Sequence, residues 1–169
     1  MHQRPQCRRG VQTLESILVI PFLAIVMAAM VQFGATMTVY QAVQSAADEG
    51  AREAAKAAAT ATTDQQVVDA AVEAVNEVLS VHSLTLSADS GVRVIVNDNT
   101  TELGTVGDAS VTQIQTFPPP GQGELQVIVL MRFDPTTDTN PDPIPNLLKT
   151  FGVDVADKQF EVSSTAKEE

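Results

Sequence analysis

Arg8-Arg9-Gly10-Val11-Gln12-Thr13-Leu14-Glu15, running into Ser16-Ile17-Leu18-Val19-Ile20-Pro21-Phe22-Leu23-Ala24-Ile25-Val26-Met27-Ala28-Ala29-Met30-Val31, is the stretch that decides how the chain is organised. A short basic leader ends at Gly10. Five residues on stands a single carboxylate, Glu15, and then an apolar run. A charged side chain in a bilayer costs about 2.5–3.5 kcal/mol on insertion scales, so this position for Glu15 demands a physical reason. Ile17 to Val31 carries no strongly polar side chain. As a helix it reaches only about 22 Å, short of a bilayer core of about 30 Å. Counting on to Tyr40 gives about 36 Å, so a full span has to include Gln32, Thr36 and Thr38 or start near Val11. Tyr40 suits the outer interface, where aromatics with a polar tip collect. Pro21 removes one helical donor and frees the carbonyl of Ile17, so a kink or local melting is expected there.

Charge divides at the same place. The chain has 169 residues and a formal net charge of -11. Arg4, Arg8 and Arg9 precede the apolar run; beyond Gly10, 7 basic residues face 21 acidic ones. By the positive-inside tendency the basic leader stays in the cytoplasm and the acidic remainder crosses. Nucleic acid is a poor partner for such a body, because binding it means neutralising phosphates with Lys and Arg. The one cysteine, Cys7, lies in the leader, which leaves no disulfide scaffold or thiolate metal site beyond Gly10.

Past the apolar run the helix is expected to continue. Gln41 to Ala61 is rich in Ala, Gln, Glu, Lys and Arg, with Gly50 as its weak point. Val39, Val43, Ala46, Ala47, Gly50, Ala54, Ala57, Ala58 and Ala61 share one face, small enough for another backbone to come close. Thr60 to Thr63 breaks this helix, and Thr63-Asp64-Gln65-Gln66 reads as a capping box. A second, amphipathic helix over 64–80 presents Val67, Val68, Ala71, Val72, Val75, Val78 and Leu79. Strands follow: Leu84–Ala88 and Val92–Asn97 around the turn Asp89-Ser90-Gly91, a weak one at Val111–Phe117, and the strongest at Leu125–Phe133. Leu125–Phe133 is apolar on both faces, so it belongs in the centre of a sheet covered on both sides. Pro145 opens a short helix with Leu147, Leu148 and Phe151 inward and Gly152 as its stop, and Phe160, Val162 and Ser164 alternate in a last strand. The fold class is α+β, with two helices followed by a small antiparallel sheet. Its divisions are a leader at 1–10, a membrane helix at 11–40, a helical extramembrane region at 41–82 and a β-rich part at 83–169.

The combination Arg8-Arg9-Gly10, Glu15 and Pro21, then Gln32-Phe33-Gly34 and Ala51-Arg52-Glu53-Ala54-Ala55, resembles the TadE-like (TadE/TadG) minor pilins and pseudopilins of tight-adherence, type IVb pilus systems. The motif-bearing resemblance covers about the first third of the chain. It implies a membrane-anchored, pilin-like protein without enzymatic activity or cofactor, single-pass, with its N-terminus in the cytoplasm. Implied partners are a prepilin peptidase, other pilin subunits, the pilus assembly platform and the cytoplasmic membrane. The peptidase is expected to cut after Gly10 and leave Val11 as the new terminus. Val11 stands where an aromatic residue is usual, which leaves methylation open.

On this reading Glu15 pairs with the new amino group at Val11, in its own subunit or a neighbour; an α-amino group, with a pKa of about 7.7–8.0, is largely charged at neutral pH. Pro21, Gln32 and Arg52 are the further assembly residues. Gln32 has two open readings, a hydrogen bond to another helix of the assembly or a watered place near the interface. Arg52 is either a partner contact or a solvated helix charge. Asp138-x-Asn140-x-Asp142, near Asp134, begins like a calcium loop, but Pro143 and Lys149 stand where Gly and Glu are needed. His2 and His82 are isolated, no G-x-S-x-G elbow occurs, and neither metal binding nor catalysis is expected. The alternative is an exported or signal-anchored acidic α+β binding domain unrelated to pili. For export the cut would fall near Met27-Ala28-Ala29, a poor signal-peptidase site.

Overall fold

A computed structural model describes residues 8–133, 144, 146–155 and 158–168, with side chains from Glu15 onward. The acidic segment 134–143, Pro145, His2 and Cys7 lie outside the described residues, and with them the calcium reading and the start of the short helix. The elements are α1 (Arg8–Ala58), α2 (Asp64–Val81), β1 (Val92–Asn97), β2 (Glu102–Gly107), β3 (Glu124–Arg132), the 3-10 helix Leu147–Phe151 and β4 (Gln159–Lys167). The class is α+β, as the sequence indicates.

α1 is one helix of 51 residues that passes through Pro21 without interruption. Pro21 does not melt the helix. It forfeits one hydrogen bond, while its fixed φ of about −65° is helical, and the turns on either side hold the geometry. The second half of α1 builds the head of the protein. Val43, Ala46, Ala47, Ala51 and Ala54 are fully buried against α2 and the sheet. The small face is therefore consumed by the protein's own core. At Gly50 a Cβ would sit 2.6 Å from Val75 Cγ2 and 3.4 Å from the Ala71 carbonyl, so glycine is what lets α2 lie this close.

After the break at 59–63, α2 buries Val67, Val68, Ala71, Ala74, Val75 and Leu79. Its start is not the expected capping box, since the Thr63 side chain makes no cap bond. Gln66 Oε1 instead accepts from the N–H of Thr62 at 2.9 Å and from its hydroxyl. The back-reaching amide of a capping box is present, one residue out of register.

The sheet runs β2-β1-β3-β4, antiparallel throughout. Both helices lie on one face, α1 over β3 and β4, and α2 over β2 and β1. The inner residues of β3, Leu125, Val127, Val129 and Met131, join them in the main core, while Ile128 and Leu130 look the other way. β3 is thus central and covered on both sides, as its sequence requires. Phe160 stands edge-on to Phe133 (4.4 Å between centroids) and to Tyr40 (5.3 Å), which ties β4 to α1.

Two strand expectations fail for related reasons. Residues 84–88 are not a strand. The Leu84 N–H returns to the Leu79 carbonyl and the Leu86 N–H meets Asn76 Oδ1, so the segment closes off α2. β1 pairs forward with β2 instead. The turn between them is held by Asp98 Oδ1, which accepts from the N–H groups of Thr100 and Thr101. Those bonds, from Thr100 first, hold the Asp98 carboxyl below the usual range.

Val111–Phe117 is no strand either. It belongs to a strap that crosses the outer face of the sheet, with Val111 buried against Ile95, Ile128 and Leu130 and Phe117 beside them. Its backbone is held by side chains instead of a ladder. Arg93 donates to the Val111 carbonyl (3.0 Å), Arg132 to that of Ser110 (2.9 Å) and Gln126 to that of Pro118 (3.1 Å). Glu161 accepts from the N–H groups of Ile114 and Gln115, both at 2.6 Å. At the start of the strap, Asp108 is buried and accepts from the N–H of Gly91 and from both the N–H and hydroxyl of Ser110. Burial works against its charge, but these hydrogen bonds, with Arg132 nearby, outweigh it and hold the carboxyl below its ordinary value.

Candidate membrane and assembly interface

The first half of α1 presents one chemistry all the way round. Twelve large apolar side chains from Ile17 to Met37 are 37–77% exposed. Covering them fully is worth about 1.5–3 kcal/mol each, so leaving them half open to water costs roughly 10–20 kcal/mol. That rivals the whole stability of a small domain, about 5–15 kcal/mol. This surface therefore does not face water. Among the described residues it is the one helix long and apolar enough to cross a membrane, and it is consistent with a single-pass anchor.

Glu15 lies at the start of that surface, exposed. Among the described residues it has no ion pair. Gly10 and Val11 lie within the first turns of α1, where only the backbone is described. Pro21 sits mid-run with Ile20, Phe22 and Leu23 exposed around it.

Within the single chain Gln32 makes a contact that neither of its two readings names. It is 4% exposed, and its Oε1 accepts the N–H of Leu148 at 2.9 Å, a residue 116 positions away. Above it the remaining polar groups are turned inward. The Thr36 hydroxyl donates to the Gln32 carbonyl (2.8 Å) and the Thr38 hydroxyl to that of Gly34 (3.0 Å). Such i−4 bonds satisfy the hydroxyls within the helix itself. The 3-10 helix docked at Gln32 ends as expected at Gly152, which is left-handed at φ 85°. Its apolar residues do not all point inward, however. Leu147 is 40% and Phe151 45% exposed, because Gln32 takes the Leu148 backbone and leaves the short turn no depth to bury both flanks.

Arg52 lies at the far end of α1. It is largely exposed, 3.8 Å from Glu49, and lines a shallow notch with Lys56, Lys167 and Glu168. It is not brought near Glu15, Pro21 or Gln32; α1 holds them apart. Gln32's partner was not readable in advance, because nothing local marks Leu148 as the group it meets.

Neither the curated proteins nor the solved structures contain a match to this chain. The family described as TadE-like protein matches residues 10–52, so it is the N-terminal region of the chain that is similar to TadE-like proteins.

Proposed function

We propose that the chain is a minor pilin or pseudopilin of a tight-adherence pilus system. It is inserted in the cytoplasmic membrane with its N-terminus inside, cut after Gly10 by a prepilin peptidase, and assembled through its apolar helix. TadE-like proteins are pilin-like and generally non-enzymatic, and they imply partners in the pilus machinery. The observation that carries the reading is the exposed apolar half of α1, continuous with the head and lying inside the family match. A surface of that kind leaves lipid only for another apolar surface, here the helices of neighbouring subunits.

Glu15 has the central role. Cutting after Gly10 creates an ammonium at Val11, one turn from Glu15, and the two opposite charges offset each other where lipid penalises both. Pairing across subunits would set their axial stagger. Pro21 gives the helix a point of adjustment within the assembly, Gln32 fixes the head to the helix, and Arg52 offers a charged contact at the top. Mass spectrometry of the N-terminus of membrane-purified protein tests the reading. We expect a chain beginning at Val11, and a Gly10→Ala variant of unprocessed size. A chain beginning at Met1 would overturn it.

A further inference from the structure

We infer that the head rests on the outer surface of the bilayer through the 3-10 turn. Leu147, Phe151 and Val153 would sit in the boundary between headgroups and acyl chains. The inference builds on the anchor reading above and adds a second membrane contact to it.

Three observations converge. The first is height. Glu15 to Gln32 is 17 residues, about 26 Å of helix, against a bilayer core of about 30 Å. With Glu15 at the inner boundary, Gln32 lies near the outer one, and the bond from the Leu148 N–H pins the 3-10 turn at that level. The main core begins at Val39, about 10 Å higher, so the turn reaches below the described core of the head.

The second is composition. Outside α1, five large apolar residues are exposed among the described ones, and Leu147 (40%), Phe151 (45%) and Val153 (51%) are three of them. The turn that carries them docks on α1 at Gln32, whose neighbour Phe33 is 63% exposed. Lys149, also exposed, lies 3.6 Å from the Asp154 carboxylate, and its long stem lets the ammonium reach lipid phosphates beside that pair.

The third is satisfaction of polar groups. The N–H groups of Leu148, Gly152 and Val153 are all bonded, to Gln32 Oε1 and to the carbonyls of Lys149 and Leu148. A turn with these three donors used up can sink into a medium that offers few acceptors, although Asn146 Oδ1 at its start is buried without a partner among the described residues.

The chain contains no tryptophan, so a single introduced one reports alone. The full chain is reconstituted in phosphatidylethanolamine/phosphatidylglycerol vesicles, with part of the lipid brominated just below the headgroup. Phe151→Trp is expected to emit to the blue of Ile114→Trp and to lose emission to bromine. Ile114→Trp, on the strap, should keep its emission. Val153→Trp serves as a second reporter should Phe151→Trp disturb folding, which far-UV circular dichroism detects. Phe22→Trp tests the anchor itself. If it escapes quenching by deeply brominated lipid, the anchor reading fails. If Phe22→Trp is quenched and both turn reporters are not, the anchor stands and this inference falls. Quenching that fades as the protein is diluted with lipid would assign the turn to a neighbouring copy and overturn it as well.

Discussion

Gly50→Ala asks whether the head depends on a close approach of two helices. The added Cβ would lie 2.6 Å from Val75 Cγ2, nearer than two carbons can stand, while its 3.4 Å contacts to the Ala71 carbonyl and Val127 Cγ1 are ordinary. Two effects compete. Overpacking of a filled core costs about 1–3 kcal/mol, and Val75, β-branched and fully buried, has no free rotamer to retreat into. Replacing Gly by Ala within a helix returns about 1 kcal/mol. The net expectation is a loss of about 1 kcal/mol, near 4 °C in Tm. The decisive arm uses Val75→Ala, which removes Cγ2. In that background only the helix-propensity term survives, so Gly50→Ala should become stabilising by up to about 1 kcal/mol. Thermal unfolding of the four proteins in detergent micelles gives the cycle. If Gly50→Ala acts in the same direction in both backgrounds, the close approach is not what requires glycine at this position.

Other perturbations separate the parts of the molecule. Gln32→Ala removes the acceptor of the Leu148 N–H; hydrogen exchange at Leu148 should quicken while the core strands stay protected, with a stability loss of about 1 kcal/mol. Glu161→Ala frees two backbone donors of the strap, so limited proteolysis should shift to 112–116 before the sheet unfolds. Asp108 has its carboxyl held low in the folded state, so its contribution is full above the unfolded value of about 3.9 and is lost as pH falls through the lower folded value. Asp108→Asn should therefore be less stable than the parent at pH 7, by about 1–2 kcal/mol, with the gap closing in acid-unfolding curves below pH 4. Glu15→Gln should leave the melting of the head unchanged, since Glu15 lies outside its core, while lowering pilus number on cells; normal piliation would refute the charge-pair proposal.

The helices, the central strand, the last strand and the Gly152 stop were legible because each rests on a local period or on one residue's backbone preference. β2 was not. Glu102-Leu103-Gly104-Thr105-Val106-Gly107 carries two glycines and little alternation, and it becomes a strand because β1 offers an edge and α2 lies beneath it. Residues 84–88 and 111–117 alternate like strands, but side chains from elsewhere, Asn76, Arg93 and Glu161, claim their backbone groups first. The same holds for the candidate site. The anchor and Glu15 stand out by composition and spacing, whereas the role of Gln32 depends on Leu148, a partner that only the folded chain brings within reach.

α1 belongs to the anchor and to the core of the head at once, with no hinge between Gln32 and Val39. Torque or pull applied to the helix above Pro21 is therefore delivered to the folded end. The bearing of the head around the long axis is fixed by residue count, in steps of about 100° and 1.5 Å. One extra residue at 35–38 would swing the head to another side of any filament it joins and part Gln32 from Leu148. Seven would bring it back to nearly the same compass point, two turns further out.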